Sequence, residues 1–283
     1  MLVASSFMTT FEAVFLRWLG NDASQAQVLL FRSGMQLVLV AVAGVLLAGG
    51  VRTLVKTTRL RAHMLRGGLT AISWWCYYMS FKTLPLPLAT TLTFSAQLFV
   101  LMLVWPILRE RVTRPQLVST LVGFVGVLIA AGIFTPTTLD WRVLYGLASA
   151  FMGAVMILIT RSLSFTDRTE TILFYMGLVV FVSAIPQSFL DWQPLQLRSA
   201  GLLLMMALTG TVGAWLMVEA YRHAEASSLA PYAYVRLVFA AALGVWLFAD
   251  TIALTTVAGA ALIIASNLVM VFFVARNAKL AQS

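Results

Sequence analysis

The sequence predicts an all-α membrane protein, with ten transmembrane helices arranged as two inverted five-helix repeats. Three observations carry that expectation. The 283 residues are 61% hydrophobic and only 10% charged, with a mean hydropathy of +0.93, whereas a soluble domain carries about 25% charged residues. The apolar residues fall into runs of spanning length, and the chain matches itself at a fixed offset. So few charges cannot cover the surface of a soluble chain this long, which excludes a soluble enzyme and a disordered binding module. The net charge of +9 invites a nucleic-acid partner. The basic residues, however, lie between the apolar runs rather than on one domain face, so the charge reads as membrane orientation and no nucleic acid is expected.

A spanning helix needs roughly 20 mainly apolar residues. Such runs stand at about 2–19, 25–48, 65–83, 87–107, 115–133, 142–160, 169–190, 199–219, 227–248 and 254–275. They use most of the chain, so function is expected inside the bundle. Met1 runs almost directly into apolar sequence with no small-residue cleavage site, so no removable signal is expected. Arg52, Lys56, Arg59, Arg61, Arg66, Arg109, Arg111, Arg114, Arg161, Arg168, Arg222, Arg276 and Lys279 fall on one side of the bilayer. Only Arg17, Lys82, Arg142 and Arg198 fall on the other. A 13-to-4 bias over short loops places both termini in the cytoplasm and the protein in the plasma (inner) membrane.

Sliding the chain by 140 residues sets Trp75 on Trp215, Phe81 on Tyr221 and Lys82 on Arg222. The same offset sets Phe94 on Tyr234, Phe99 on Phe239, Leu103 on Leu243 and Glu110 on Asp250. This predicts repeats over residues 1–136 and 137–283. Five helices per repeat is an odd number, so the second copy enters the membrane from the opposite side. Inverted repeats characterise secondary transporters, whose two halves can exchange which side is open. The plain alternative is a duplication kept for packing alone.

The stretch Leu65–Gly132 has a Leu-Arg-Gly entry to the third span and a Phe-Lys-Thr-Leu-Pro-Leu turn. An Arg-Glu-Arg follows the fourth span, and a Gly-Phe-x-Gly lies in the fifth. With Phe15–Gly20 and Phe31-Arg32-Ser33, it resembles the EamA repeat of the drug/metabolite transporter superfamily. Ala220–Ala249 resembles the same turn in degenerate form, with Glu225-Ala226 replacing Pro-Leu and Asp250 replacing the acidic Glu. The resemblance implies a ten-helix secondary transporter, most like the bacterial exporters of amino acids, including aromatic ones. It implies a small-molecule substrate, the lipid bilayer as the other partner, and no obligate protein partner. Efflux of other small organic solutes or drugs, and a channel-like pore, remain the alternatives.

Ionisable residues inside a span are costly and need a partner or a role. Glu12, Arg32, Glu219 and Arg236 are four such residues. Pairing between Arg and Glu, or snorkelling from a helix end, would account for Arg32 and Glu219. Arg236 lies about ten residues into its span and cannot snorkel easily. It is the first candidate for a substrate carboxylate, against a structural pair with Glu12 or Glu219. Trp74, Tyr78 and Phe81 share a helical face, Thr90, Thr93 and Gln97 form a polar stripe, and Tyr232, Arg236 and Phe239 align downstream of Pro231. A polar stripe in a span faces the bundle interior. These nine residues are the expected binding site, with aromatic walls and a few fixed polar groups. An interfacial aromatic belt is the alternative for Trp74 and Trp75, and Tyr77 could equally face lipid.

No metal or cofactor is expected. One cysteine, Cys76, and two histidines, His63 and His223, supply neither a disulfide nor a ligand set. No nucleophile–base pairing and no phosphate-binding Gly-rich loop is present, so neither enzyme chemistry nor direct use of ATP is expected.

Overall fold

The computed structural model describes residues 1–20, 22–47, 50, 52, 54–84, 86–131, 141–249 and 253–280. Their regular structure is helical throughout: α1 (Leu2–Leu19), α2 (Gln25–Leu47), α3 (Leu60–Thr83), α4 (Leu86–Phe94), α5 (Ala96–Leu108), α6 (Arg114–Ala131) and α7 (Val143–Ser164). There follow α8 (Thr169–Leu190), α9 (Leu197–His223), α10 (Ala226–Leu229), a 3-10 segment (Ala230–Tyr234), α11 (Val235–Phe248) and α12 (Leu254–Leu280). Among the described residues, eight stretches are helical, long and apolar enough to cross a membrane, and Leu254–Met270 is a shorter apolar helix. α3 is long enough at 24 residues. It falls short on apolarity because Arg61, His63 and Arg66 open it and Trp74, Trp75, Tyr77 and Tyr78 fill its second half.

The chain divides into two compact units. Unit 1 is Met1–Ile72 with Ile159–His223, and unit 2 is Ser73–Leu158 with Ala224–Ser283. Each unit draws on both halves of the sequence, and α3 and α7 contribute a segment to each. A repeat is a unit of duplication, whereas a compact unit is one of packing, so the two divisions differ.

In unit 1, α1 packs on α9 and α2 on α8. The Ser5 hydroxyl donates to the Gly213 carbonyl at 2.7 Å. A Cβ on Gly210 would stand 2.7 Å from the Glu12 carboxyl carbon, so only glycine admits that side chain between the helices. Gln36 Nε2 donates to the Leu173 carbonyl at 2.8 Å. A Cβ on Gly177 would lie 3.3 Å from Leu37, and one on Gly34 would lie 3.1 Å from Phe181. Gly34 thus meets Phe181 and Leu37 meets Gly177 one turn earlier along α8, which makes the pair antiparallel. Leu37 and Gly177 are 140 apart, so each touches its own repeat equivalent. Val40, Leu54, Leu163, Ile172, Leu173, Ala214 and Val218 form one apolar core cluster of this unit, and Leu19, Ala23, Leu203 and Met206 form another.

In unit 2, α6 packs on α12. The Ser119 hydroxyl donates to the Ser266 carbonyl at 2.8 Å, and a Cβ on Gly126 would stand 2.9 Å from the Gly259 carbonyl oxygen. Adding 140 turns Ser119 into Gly259 and Gly126 into Ser266, so the offset exchanges these two contacts. The rings of Phe94 and Tyr234, also 140 apart, lie 5.9 Å from centroid to centroid. Tyr234 packs with Val127 and Ile263 in the buried core. Ser73 and Ser149 exchange hydroxyl-to-carbonyl bonds at 3.1 and 3.0 Å between α3 and α7. Their repeat equivalents, Gly213 and Thr9, meet in unit 1.

The offset also marks where helices start and stop. α4 begins at Leu86 and α10 at Ala226. α5 ends on left-handed Arg109 at φ 57°, and α11 ends on left-handed Ala249 at φ 51°. These are the two non-glycine residues with positive φ among the described residues. That conformation costs an L-residue roughly 1–2 kcal/mol, so its recurrence at one repeat position reflects a shared backbone.

Candidate functional site

The candidate substrate site belongs to unit 2. Trp74 and Tyr77 lie on α3, both half-buried, with ring centroids 6.0 Å apart. Arg236 lies in the first turn of α11, exposed, and its charge reaches the Tyr77 phenol. Among the described residues Arg236 makes no ion pair. Gln97 opens α5 and is 8% exposed, and its Oε1 accepts no hydrogen bond among the described residues. A buried acceptor in that condition costs free energy until a donor meets it. α5 packs on the 3-10 segment that carries Tyr232. Tyr232 and Phe239 are both half-buried.

The stripes expected from an unbroken helix are bent in both places. Pro231 lacks a backbone N–H, and the chain tightens to a 3-10 turn over Ala230–Tyr234. Each 3-10 residue rotates about 20° further than an α-helical one, so Tyr232 is turned by roughly 40° from the face of Arg236 and Phe239. Between Thr93 and Gln97 the helix makes a similar tight turn, with Ser95 N–H donating to Leu92 O and Leu98 N–H to Ser95 O. Ser95, within the first tightening, stands 140 before Val235, the first residue after the second. Thr93 spends its hydroxyl proton on the Ala89 carbonyl at 3.0 Å. The side chains of Tyr78, Phe81 and Thr90 lie outside the described residues.

The remaining charged candidates gather in unit 1. Arg32 Nε donates to Glu12, with both side chains largely buried. Glu219 accepts from the Thr169 hydroxyl and lies 3.4 Å from Arg222 Nε. Glu12 and Glu219, the two acids considered as structural partners for Arg236, are therefore engaged within their own unit. Glu110 holds the start of α10, its Oε2 accepting from the Ala226 N–H at 2.9 Å. Its repeat equivalent, Asp250, lies outside the described residues. Gly126 and Ala130 meet Gly259 in a close helix crossing, as their spacing implies.

Two features went unread in the sequence. Tyr77, outside the expected face of Trp74, Tyr78 and Phe81, is a residue whose phenol feels the charge of Arg236; Trp75 is 56% exposed and meets Tyr145 edge-on. His63, at a helix end, is 1% exposed and bound to Asp167. A histidine and an aspartate 104 positions apart give no spacing signal, and only the fold unites them.

A forked cation, aromatic faces and an unsatisfied buried acceptor together suit a small organic solute that carries an anion and an N–H donor. The EamA-like transporter family matches this chain twice, over residues 1–132 and 140–272. The chain is 30% identical over 224 residues to the S-adenosylmethionine uptake transporter of Rickettsia bellii, covering 77% of this chain and 74% of that one. It is 30% identical over 205 residues to the pseudopaline exporter CntI of Pseudomonas aeruginosa, covering 71% and 72%. A protein of known crystal structure shares the fold with a TM-score of 0.81 over 96% of each chain, at 15% identity. The family matches one copy in each half of the chain, a two-repeat architecture. The chain belongs to the EamA-like transporter family, a family of membrane transporters and not of enzymes.

Proposed function

We propose that this chain carries small organic solutes bearing an α-amino-acid head group by alternating access, outward when they accumulate in the cytoplasm. The net direction of a secondary carrier follows the gradients of solute and coupling ion. The proposal takes ten spans in two inverted repeats, residues 1–136 and 137–283, with both termini cytoplasmic in the plasma membrane. The observation that carries it is Arg236, a cation in a membrane helix with no ion-pair partner among the described residues. A planar guanidinium keeps its charge and pairs a carboxylate with two parallel hydrogen bonds. The aromatic rings of Trp74, Tyr77 and Tyr232 supply apolar contact for the rest of the solute, and Gln97 Oε1 supplies an acceptor for its ammonium. S-adenosylmethionine, the solute named for the Rickettsia relative, combines an amino-acid head with a flat ring, which supports the same reading.

The test is counterflow into liposomes loaded with a panel of amino acids and S-adenosylmethionine. A carrier shows saturable uptake stimulated by solute on the far side; a pore shows no such stimulation. Arg236→Gln is expected to insert and fold but to lose about 1.5–3 kcal/mol of apparent affinity, the range for a charged hydrogen bond. Unchanged kinetics in a folded Arg236→Gln protein would exclude the binding role.

A further inference from the structure

A second polar centre, in unit 1, has no part in that reading. His63 Nε2 lies 2.5 Å from Asp167 Oδ2, and the two side chains are 1% and 5% exposed. The Thr57 hydroxyl donates to the same carboxylate oxygen at 2.7 Å. Tyr175 of α8 covers the imidazole, with ring centroids 4.8 Å apart, and its own hydroxyl donates to the Val55 carbonyl. Arg222 of α9 donates from Nη2 to the Asp167 carbonyl and to the Thr169 hydroxyl, both at 2.9 Å. Arg59 donates to the carbonyl and hydroxyl of Ser162 on α7, both at 2.9 Å. Buried Arg66 donates to Thr160 on α7 at 2.7 Å. These bonds fasten the α2–α3 connection, α7, α8 and α9 into one clasp at one end of the unit. The His63 Nδ1 atom is buried and has no hydrogen-bond partner among the described residues.

We propose that His63 and Asp167 form a proton-binding site, and that protonating His63 opens this clasp. With neutral His63, the Nε2 proton is donated to Asp167 and the Nδ1 lone pair is merely left over. Protonation places a second N–H at Nδ1, where no acceptor stands, and adds a cation beside Arg59 and Arg66. Opening relieves both by admitting water. Burial, with Arg66 and Arg59, draws the imidazole below the ordinary histidine range, against the opposing pull of Asp167. Burial pushes Asp167 up, but the hydrogen bonds from Thr57, His63 and Thr166 hold it below the ordinary aspartate value. Asp167 therefore stays ionised at physiological pH and His63 alone titrates. The proton binds the open, hydrated imidazole more tightly than the closed one. The closed clasp thus holds above the ordinary histidine value of about 6.5 and is lost as pH falls below it.

The experiment reads no transport, so the carrier reading stands or fails separately. The full-length protein in liposomes, with Cys76→Ser, carries one reporter thiol at Ser164→Cys beside the clasp or at Ala23→Cys at the opposite end. Both native side chains are buried, at 1% and 8% exposure. The ratio of the two labelling rates by a hydrophilic maleimide cancels the pH dependence of the thiolate. That ratio is expected to rise between pH 8 and pH 5.5 by up to about tenfold, because pH 5.5 lies one unit below the ordinary histidine value of the open clasp. With His63→Gln it is expected to stay constant. A constant ratio with His63 present, or the same rise in His63→Gln, would overturn the proposal. If His63→Gln does not fold, His223→Gln leaves His63 as the sole imidazole for an NMR titration. A midpoint below the ordinary histidine value supports the site, and one at or above it overturns the site.

Discussion

Unit 1 is fastened at both ends by polar clasps built on matching repeat positions. At one end the Ser199 hydroxyl donates to Asp22 at 2.9 Å. Gln27 Nε2 donates to the Gln193 carbonyl at 2.7 Å, and its Oε1 accepts from the backbone of Ser24 and Gln193 at 2.9 and 3.1 Å. At the other end stand Arg59 on Ser162 and the His63–Asp167 pair. The Asp22–Ser199 bond becomes Ser162–Arg59 when the offset of 140 is applied. Gln27 becomes Asp167, and buried Leu203 stands where His63 stands in the other copy. The duplicated backbone therefore provides two equivalent fastenings, while the buried residues decide their chemistry. An amide satisfies both its donor and its acceptor and is indifferent to pH. The Asp167 carboxylate needs donors and a partner, which makes that position titratable where Gln27 is not.

The comparison is broken most severely by Asp167→Ala. Removing one member of a buried charged network typically costs about 3–5 kcal/mol, and here Thr57 and His63 both lose their acceptor. Thermal unfolding in detergent micelles is expected to show a loss of that size. A loss below 1 kcal/mol would mean that the clasp does not hold the unit together. Gln27→Ala removes three neutral hydrogen bonds at the equivalent position. At about 0.5–1.5 kcal/mol each, offset by partners that turn to water, a net loss of roughly 1.5–3 kcal/mol is expected. A loss equal to that of Asp167→Ala would erase the distinction between the two clasps. The smallest effect is expected from Ser162→Ala, below about 1 kcal/mol, because Arg59 keeps its bond to the residue 162 carbonyl.

Several features were legible in the sequence because they repeat or because lipid enforces them. The offset of 140 shows in Phe94 and Tyr234, in the helix starts at Leu86 and Ala226 and in the caps at Arg109 and Ala249. Arg32 pairs with Glu12 in the structure, a partner that the sequence did not single out. The bends at Ser95 and Ala230–Tyr234 were less legible. Pro231 announced the second, but a 3-10 turn at Ser95 carries no breaker residue. α-Helical periodicity is the pattern that gathers the substrate-site candidates, and periodicity fails where the helix tightens.

Composition and charge bias by themselves determined that this chain is a helical membrane protein, because hydrocarbon leaves a backbone only a few ways to satisfy its polar groups. The offset by itself exposed a duplication, because duplication leaves a register that needs no third dimension to be seen. Only the tertiary structure decided that packing interleaves the halves, that the charge of Arg236 reaches Tyr77, and that His63 meets Asp167. Each is a contact between side chains distant in sequence or turned by a local bend, and a one-dimensional pattern carries no information about either.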